Sequence, residues 1–80
     1  MALSVDEIVQ KIRSGALPSD ACEVTWYGPG SGQPCRACGV PILVSEVEVE
    51  CDLPSGERAV RFHRACFEVW DQARGGLEIA

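Results

Sequence analysis

At 80 residues the chain has room for one small domain, whose apolar core alone holds it only marginally, so a further constraint on the fold is expected. A hydrophobic content of 46% beside 24% charged residues excludes a disordered tail, and the net charge of -5 argues against the positive field that draws proteins to nucleic acid or anionic membranes. Asp6 and Glu7 stand where a signal peptide needs a basic start, and no segment reaches transmembrane length, so a cytoplasmic protein is expected. Ser4-Val5-Asp6-Glu7 matches the capping box, with Leu3 and Ile8 at hydrophobic-staple spacing. The stripe Val5, Ile8, Val9 and Ile12 then predicts a helix over 5–14 that Gly15 and Leu17-Pro18 end.

Residues 16–33 hold Gly28, Gly30, Gly32, Pro18 and Pro29 with no period of either kind, which reads as an irregular linker. Cys22, Val24, Trp26 and Tyr27 are the residues that can pin it to the core. Val44 to Cys51 alternates apolar and acidic residues, the pattern of a strand with one buried face. Pro54-Ser55-Gly56 supplies a turn and Arg58 to Phe62 returns, with Val49 set against Val60, Val47 against Phe62 and Glu48 against Arg61. Cys66, Val69, Trp70 and Ala73 restore the helical period, giving a second helix over 64–74 that Gly75-Gly76 ends before a loose tail at 77–80.

The stretch Gly30-Ser-Gly-Gln-Pro-Cys-Arg-Ala-Cys-Gly39 admits several chemistries. A phosphate loop needs a strand before the glycines and a helix after them, and here Pro34 and Pro41 flank the cysteines with no Lys-Ser/Thr pair following. A redox Cys-x-x-Cys needs a helix N-terminus, which Gly39 and Pro41 prevent. Pro34 to Cys38 matches the second half of the zinc deaminase signature, but its upstream His-x-Glu half is missing. What remains is Cys35-x2-Cys38 and His63-x2-Cys66, separated by residues 39–62: two close chelating pairs of soft or borderline donors that suit one tetrahedral zinc. Five cysteines, an odd number, cannot form a complete intramolecular disulfide framework, which also favours a metal.

The order of knuckle, hairpin and ligand-bearing helix resembles treble-clef zinc domains, and Phe62-His63-Arg64-Ala65-Cys66-Phe67 resembles the middle of a LIM domain. That resemblance implies that Cys35, Cys38, His63 and Cys66 form the first LIM zinc site. Val69 stands where a LIM domain has its next cysteine, so the second site is not implied. The chain is also similar to short uncharacterised bacterial proteins with a Gly-Pro-Gly-x-Gly loop before the knuckle. The expected whole is thus a small α+β zinc-stabilised domain: N-terminal helix 1–15, linker 16–33, treble-clef-like zinc unit 34–76 and tail 77–80.

Cys51 falls on the Val47-Val49 face and is expected in the core, as are Trp26 and Trp70, whereas Cys22 carries no clear signal. Arg36, Arg58, Arg61 and Arg64 are expected on a solvated mixed face with Glu46, Glu48 and Glu50. Four protein ligands leave no open metal position, and no carboxylate pair or Ser-His-Asp set is present, so no enzyme, small-molecule substrate or catalytic residue is expected. The leading reading is a structural zinc module that binds protein or itself. The second is a nucleic-acid-binding transcriptional regulator, with weak binding centred on the four arginines.

Overall fold

The computed structural model describes residues 4–79, the side chains of residues 76–79 excepted. Two helices, α1 (Val5–Ser14) and α2 (Arg64–Ile79), accompany a three-stranded antiparallel sheet of β1 (Val24–Pro29), β2 (Val47–Asp52) and β3 (Val60–His63) in the order β1-β2-β3. No described helix is long and apolar enough to cross a membrane.

The first helix forms as its sequence requires. The Ser4 hydroxyl accepts from the Glu7 N–H and the Glu7 carboxylate accepts from the Ser4 N–H, closing the capping box, and Gly15 ends the helix in the left-handed region with its N–H on the Ile12 carbonyl. The Leu3 part of the staple lies outside the described residues. Ile8 and Ile12 are buried while Val5 is exposed, and the helix packs against α2. Lys11 extends from it to donate from Nζ to the Ala37 carbonyl at 2.8 Å. The helix is therefore built into the domain at both its apolar stripe and its lysine.

The segment 16–33 is not the irregular linker that its glycines and prolines suggest. Val24–Pro29 forms an edge strand on β2, with Val24 opposite Asp52 and Tyr27 opposite Val49. The chain before it is anchored too: Leu17 is buried, and Trp70 Nε1 donates to the Pro18 carbonyl at 2.8 Å. Val24, Trp26 and Tyr27 do not reach the core but stay 42%, 49% and 62% exposed, because β1 lies at the margin of the sheet. Trp70, by contrast, is fully buried and stacks on Phe62 at 4.9 Å between centroids.

The hairpin differs from expectation in start and register. Residues 44–46 turn instead of extending, held by the Glu46 N–H on the Leu43 carbonyl and the Leu43 N–H on Glu46 Oε1, so β2 begins at Val47. Val49 pairs with Phe62, Glu50 with Arg61 and Cys51 with Val60, a shift of two positions from the expected alignment. The connection causes the shift. Leu53 turns into the core and its N–H bonds the Glu57 carbonyl, Gly56 and Ala59 both take positive φ, and the Ala59 N–H is held by Asp52 Oδ1. A return strand cannot begin at Arg58 under those constraints. Since strand side chains alternate with period two, an even shift keeps Val49, Cys51, Val60 and Phe62 on the buried face and leaves Arg61 facing the acidic residues.

Helix α2 runs through Gly75 to Ile79, past the stop expected at Gly75-Gly76, so residues 77–79 are helical and not a tail. Gly75 does not take the left-handed conformation that would end a helix, and an interior glycine costs a helix only about 1 kcal/mol.

Candidate metal centre

The knuckle is shaped by two backbone bonds around a left-handed glycine. Gly39, at φ 77°, donates to the Cys35 carbonyl at 2.8 Å, and the Cys35 N–H donates to the Val40 carbonyl at 2.9 Å. Pro34 and Pro41 form a bridge that closes its base. The loop before it is pinned by Gly30, where an added Cβ would fall 1.9 Å from the Leu43 carbonyl oxygen, a contact only glycine permits. Ser31 next to it donates from backbone and hydroxyl to the buried Glu48 carboxylate at 3.0 and 2.6 Å, and Arg61 Nε lies 3.3 Å from the other oxygen. One oxygen of this buried carboxylate is thereby hydrogen-bonded twice and the other is ion-paired, which ties the glycine loop to the hairpin.

The second pair comes from the junction of β3 and α2, with His63 ending the strand and Cys66 in the first helical turn. The knuckle docks on the outer edge of β3: the Arg36 N–H donates to the Arg61 carbonyl at 2.7 Å and the His63 N–H points at Cys35 Sγ at 3.4 Å. As a result, one donor atom from each of Cys35, Cys38, His63 and Cys66 lies within 4.8 Å of every other. A tetrahedral zinc with thiolates at 2.3 Å needs donors about 3.7 Å apart, so a small contraction closes the cage around an ion. Cys35 and Cys66 are 2% and 1% exposed, and Cys38 and His63 are half-buried.

The orientation of the imidazole is informative. Nδ1 faces the thiols, 3.4 Å from Cys38 Sγ, while Nε2 lies 3.5 Å from Glu46 Oε1 on the opposite side. A carboxylate beyond the far nitrogen favours the tautomer that leaves Nδ1 free to ligate. Glu46→Ala is expected to lower metal affinity about tenfold, the weak end of the range for such partners because Glu46 is partly exposed. Competition against a chromophoric chelator measures it, and an unchanged affinity would remove Glu46 from the site.

Burial, and then the neighbouring Cys35 and Cys38, push the Cys66 thiol from 9.0 up to about 12. The α2 N-terminus pulls in the opposite direction, since its positive end favours a thiolate, but one helix terminus is outweighed by desolvation among sulfurs. The Cys66 thiol thus keeps its proton unless a cation shares the space.

All four residues expected as ligands from the sequence are brought together. The arginines are only partly gathered: Arg36, Arg58 and Arg61 line a cleft of about 350 Å³ beside Cys35, and Arg64 lies apart in another. Each has an acidic neighbour, Glu57 for Arg36, Asp52 for Arg58, Glu48 and Glu50 for Arg61, and Glu68 for Arg64. Cys51 is buried as expected, but its sulfur is not a free thiol: it is bonded to Cys22, leaving Cys35, Cys38 and Cys66 as the free cysteines. Comparison with family models, curated proteins and solved structures returned no match. The fold and site therefore define a small α+β domain with a Cys3His cluster able to hold one metal ion.

Proposed function

We propose that the chain is a treble-clef-type zinc module, akin to the first half of a LIM domain, that carries one structural Zn2+ on Cys35, Cys38, His63 and Cys66 and works by binding protein. The observation that carries the metal assignment is the convergence of four donor atoms within 4.8 Å at a mostly buried point. Three thiolates and an imidazole are donors that favour zinc over harder cations, and four protein ligands fill its tetrahedral shell. Such an ion organises the fold and leaves no position for a substrate, so we assign no catalytic role.

Nucleic-acid binding is the second reading, and the cleft lined by Arg36, Arg58 and Arg61 is what favours it. Against it stand their acidic neighbours and the net charge of -5, which together leave little counterion release to drive association. The test immobilises the zinc-loaded chain and compares proteins retained from its native host before and after chelation, beside a titration of labelled duplex at physiological salt. Protein capture lost on chelation, with no duplex binding, is expected. Tight duplex binding abolished by replacing the three arginines with alanine would reverse the two readings.

A further inference from the structure

Of the two sheet edges, only one is covered. The outer edge of β3 is occupied by the knuckle through the Arg36 to Arg61 and His63 to Cys35 contacts, whereas no described strand lies beyond β1. These bonds also fix which groups face outward. Arg61 and His63 turn their backbone away from β2, so Val60 and Phe62 bond it, and in β2 Glu48, Glu50 and Asp52 are left to face β1. The Gly30 N–H on the Glu46 carbonyl continues that alternation, placing Val24, Trp26 and Gly28 toward β2 and Thr25, Tyr27 and Pro29 toward the open side. Pro29 loses nothing there, since its missing N–H falls where no partner lies.

Apart from Pro29 at its end, this edge lacks the devices that keep strands apart. In a chain of net charge -5, Val24–Pro29 carries no charged side chain, and Trp26 and Tyr27 stay exposed on it. We propose that β1 pairs antiparallel with β1 of a second copy about a two-fold axis at Trp26, joining two sheets into one; this rests on the interaction-module reading above and names its partner.

The register follows from the outward groups. Thr25 of each copy exchanges both backbone bonds with Tyr27 of the other, and the two Trp26 residues face each other as a non-hydrogen-bonded pair, the closer of the two antiparallel spacings. Val24 then lies opposite Gly28, whose missing side chain leaves room beside the indoles. Glu23, the nearest charge, meets Pro29 and not another carboxylate. A six-residue strand pair is small beside interfaces of about 1,200 Å² or more, so the dimer is reversible and concentration-dependent. Both copies are acidic, so added salt, by screening their repulsion, tightens it.

Sedimentation of the zinc-loaded, disulfide-intact chain tests the proposal. The mass is expected to rise with concentration toward twice 8.6 kDa, more readily at higher salt. Thr25→Pro, which removes an outward N–H that the monomer does not use, should abolish association while native mass spectrometry still finds one zinc. Trp26→Cys should give a covalent dimer on mild oxidation, because facing residues of this pair type lie about 4.5 Å apart at Cα, within disulfide reach, whereas Val24→Cys should not. A wild type monomeric at every concentration overturns the inference, as does a dimer that weakens with salt, survives Thr25→Pro or fails to cross-link through Trp26→Cys. Zinc loading and chelator-sensitive capture of host proteins are read separately, so a monomer that retains another protein overturns the second copy alone and leaves the interaction module standing.

Discussion

Cys66→Ser is expected to abolish metal loading and to lower the melting temperature steeply, leaving a metal-free fold held by its small core alone. Structural zinc in small peptides carries roughly 10 to 16 kcal/mol of apparent binding free energy, against about 3 to 5 from a core of this size. Even a partial loss is large, since each kcal/mol moves the melting temperature by about 4–8 °C in a domain this short. Chelating the wild type should reproduce the effect, which ties it to the ion and not to a serine in the core. A Cys66→Ser protein that melts as the wild type does would refute a folding role for the metal. The chelated chain supplies a pH test with the opposite sign from the loaded one. Because the folded Cys66 thiol titrates near 12 and an unfolded thiol near 9.0, the folded metal-free chain keeps a proton that the unfolded chain sheds between those values. Its contribution to stability is whole below pH 9 and disappears as the pH climbs through 12. In the loaded protein the ligand is already a thiolate, so that alkaline loss should be absent, and acid, which restores protons to the ligands, should release the ion instead.

The metal cluster was legible because its information is local. Two donors separated by two residues form a chelate wherever their segment lies, and Gly39 marks the tight turn that such a pair needs. Only the meeting of the two pairs depends on the fold, and the hairpin between them is visible in the alternation of residues 44–51, of which 44–46 form a turn. Glu46 was missed as a partner of His63, since it reads as one more acidic residue of that alternation. Its signal is position: it lies where the strand begins, in the Leu43 to Glu46 turn that aims it at the imidazole.

β1 was illegible for a different reason. Val24, Thr25, Trp26 and Tyr27 are β-branched or aromatic, but an edge strand exposed on both faces shows no alternation, and Gly28 and Pro29 mimic a loop. The register failed at a distance from the paired residues, in a connection where Ala59 takes a positive φ that nothing in its side chain announces. The α2 terminus failed because glycine weakens a helix without ending it unless the backbone turns left-handed. The odd cysteine count, which argued for a metal, hid the fact that three ligand cysteines leave two that can pair.

Opening the Cys22–Cys51 bond is the second large perturbation, and it should act on the sheet while sparing the metal. Cys51 is fully buried in β2, beside Thr25 of β1 and Val60 of β3, and Cys22 enters just before β1. The bond spans a sequence separation of 29, and a loop of that size removes unfolded-chain entropy worth about 3 to 4 kcal/mol. Without it, the edge strand is left with its backbone bonds to β2 and the edge-on contact of Tyr27 with Phe67 at 6.3 Å. The four metal ligands stand on other segments, so the ion stays. Cys22→Ser with Cys51→Val, which keeps an apolar group in the core, is expected to lower the melting temperature by roughly 15–25 °C with one zinc still bound. Hydrogen exchange should show protection lost first at β1 and retained at the knuckle and α2. Thiol counting on the denatured, metal-free wild type fixes the starting point: three reactive thiols without reductant and five with it. Five thiols before reduction, or a double variant that melts and exchanges as the wild type does, would show that the bond carries none of the sheet's stability.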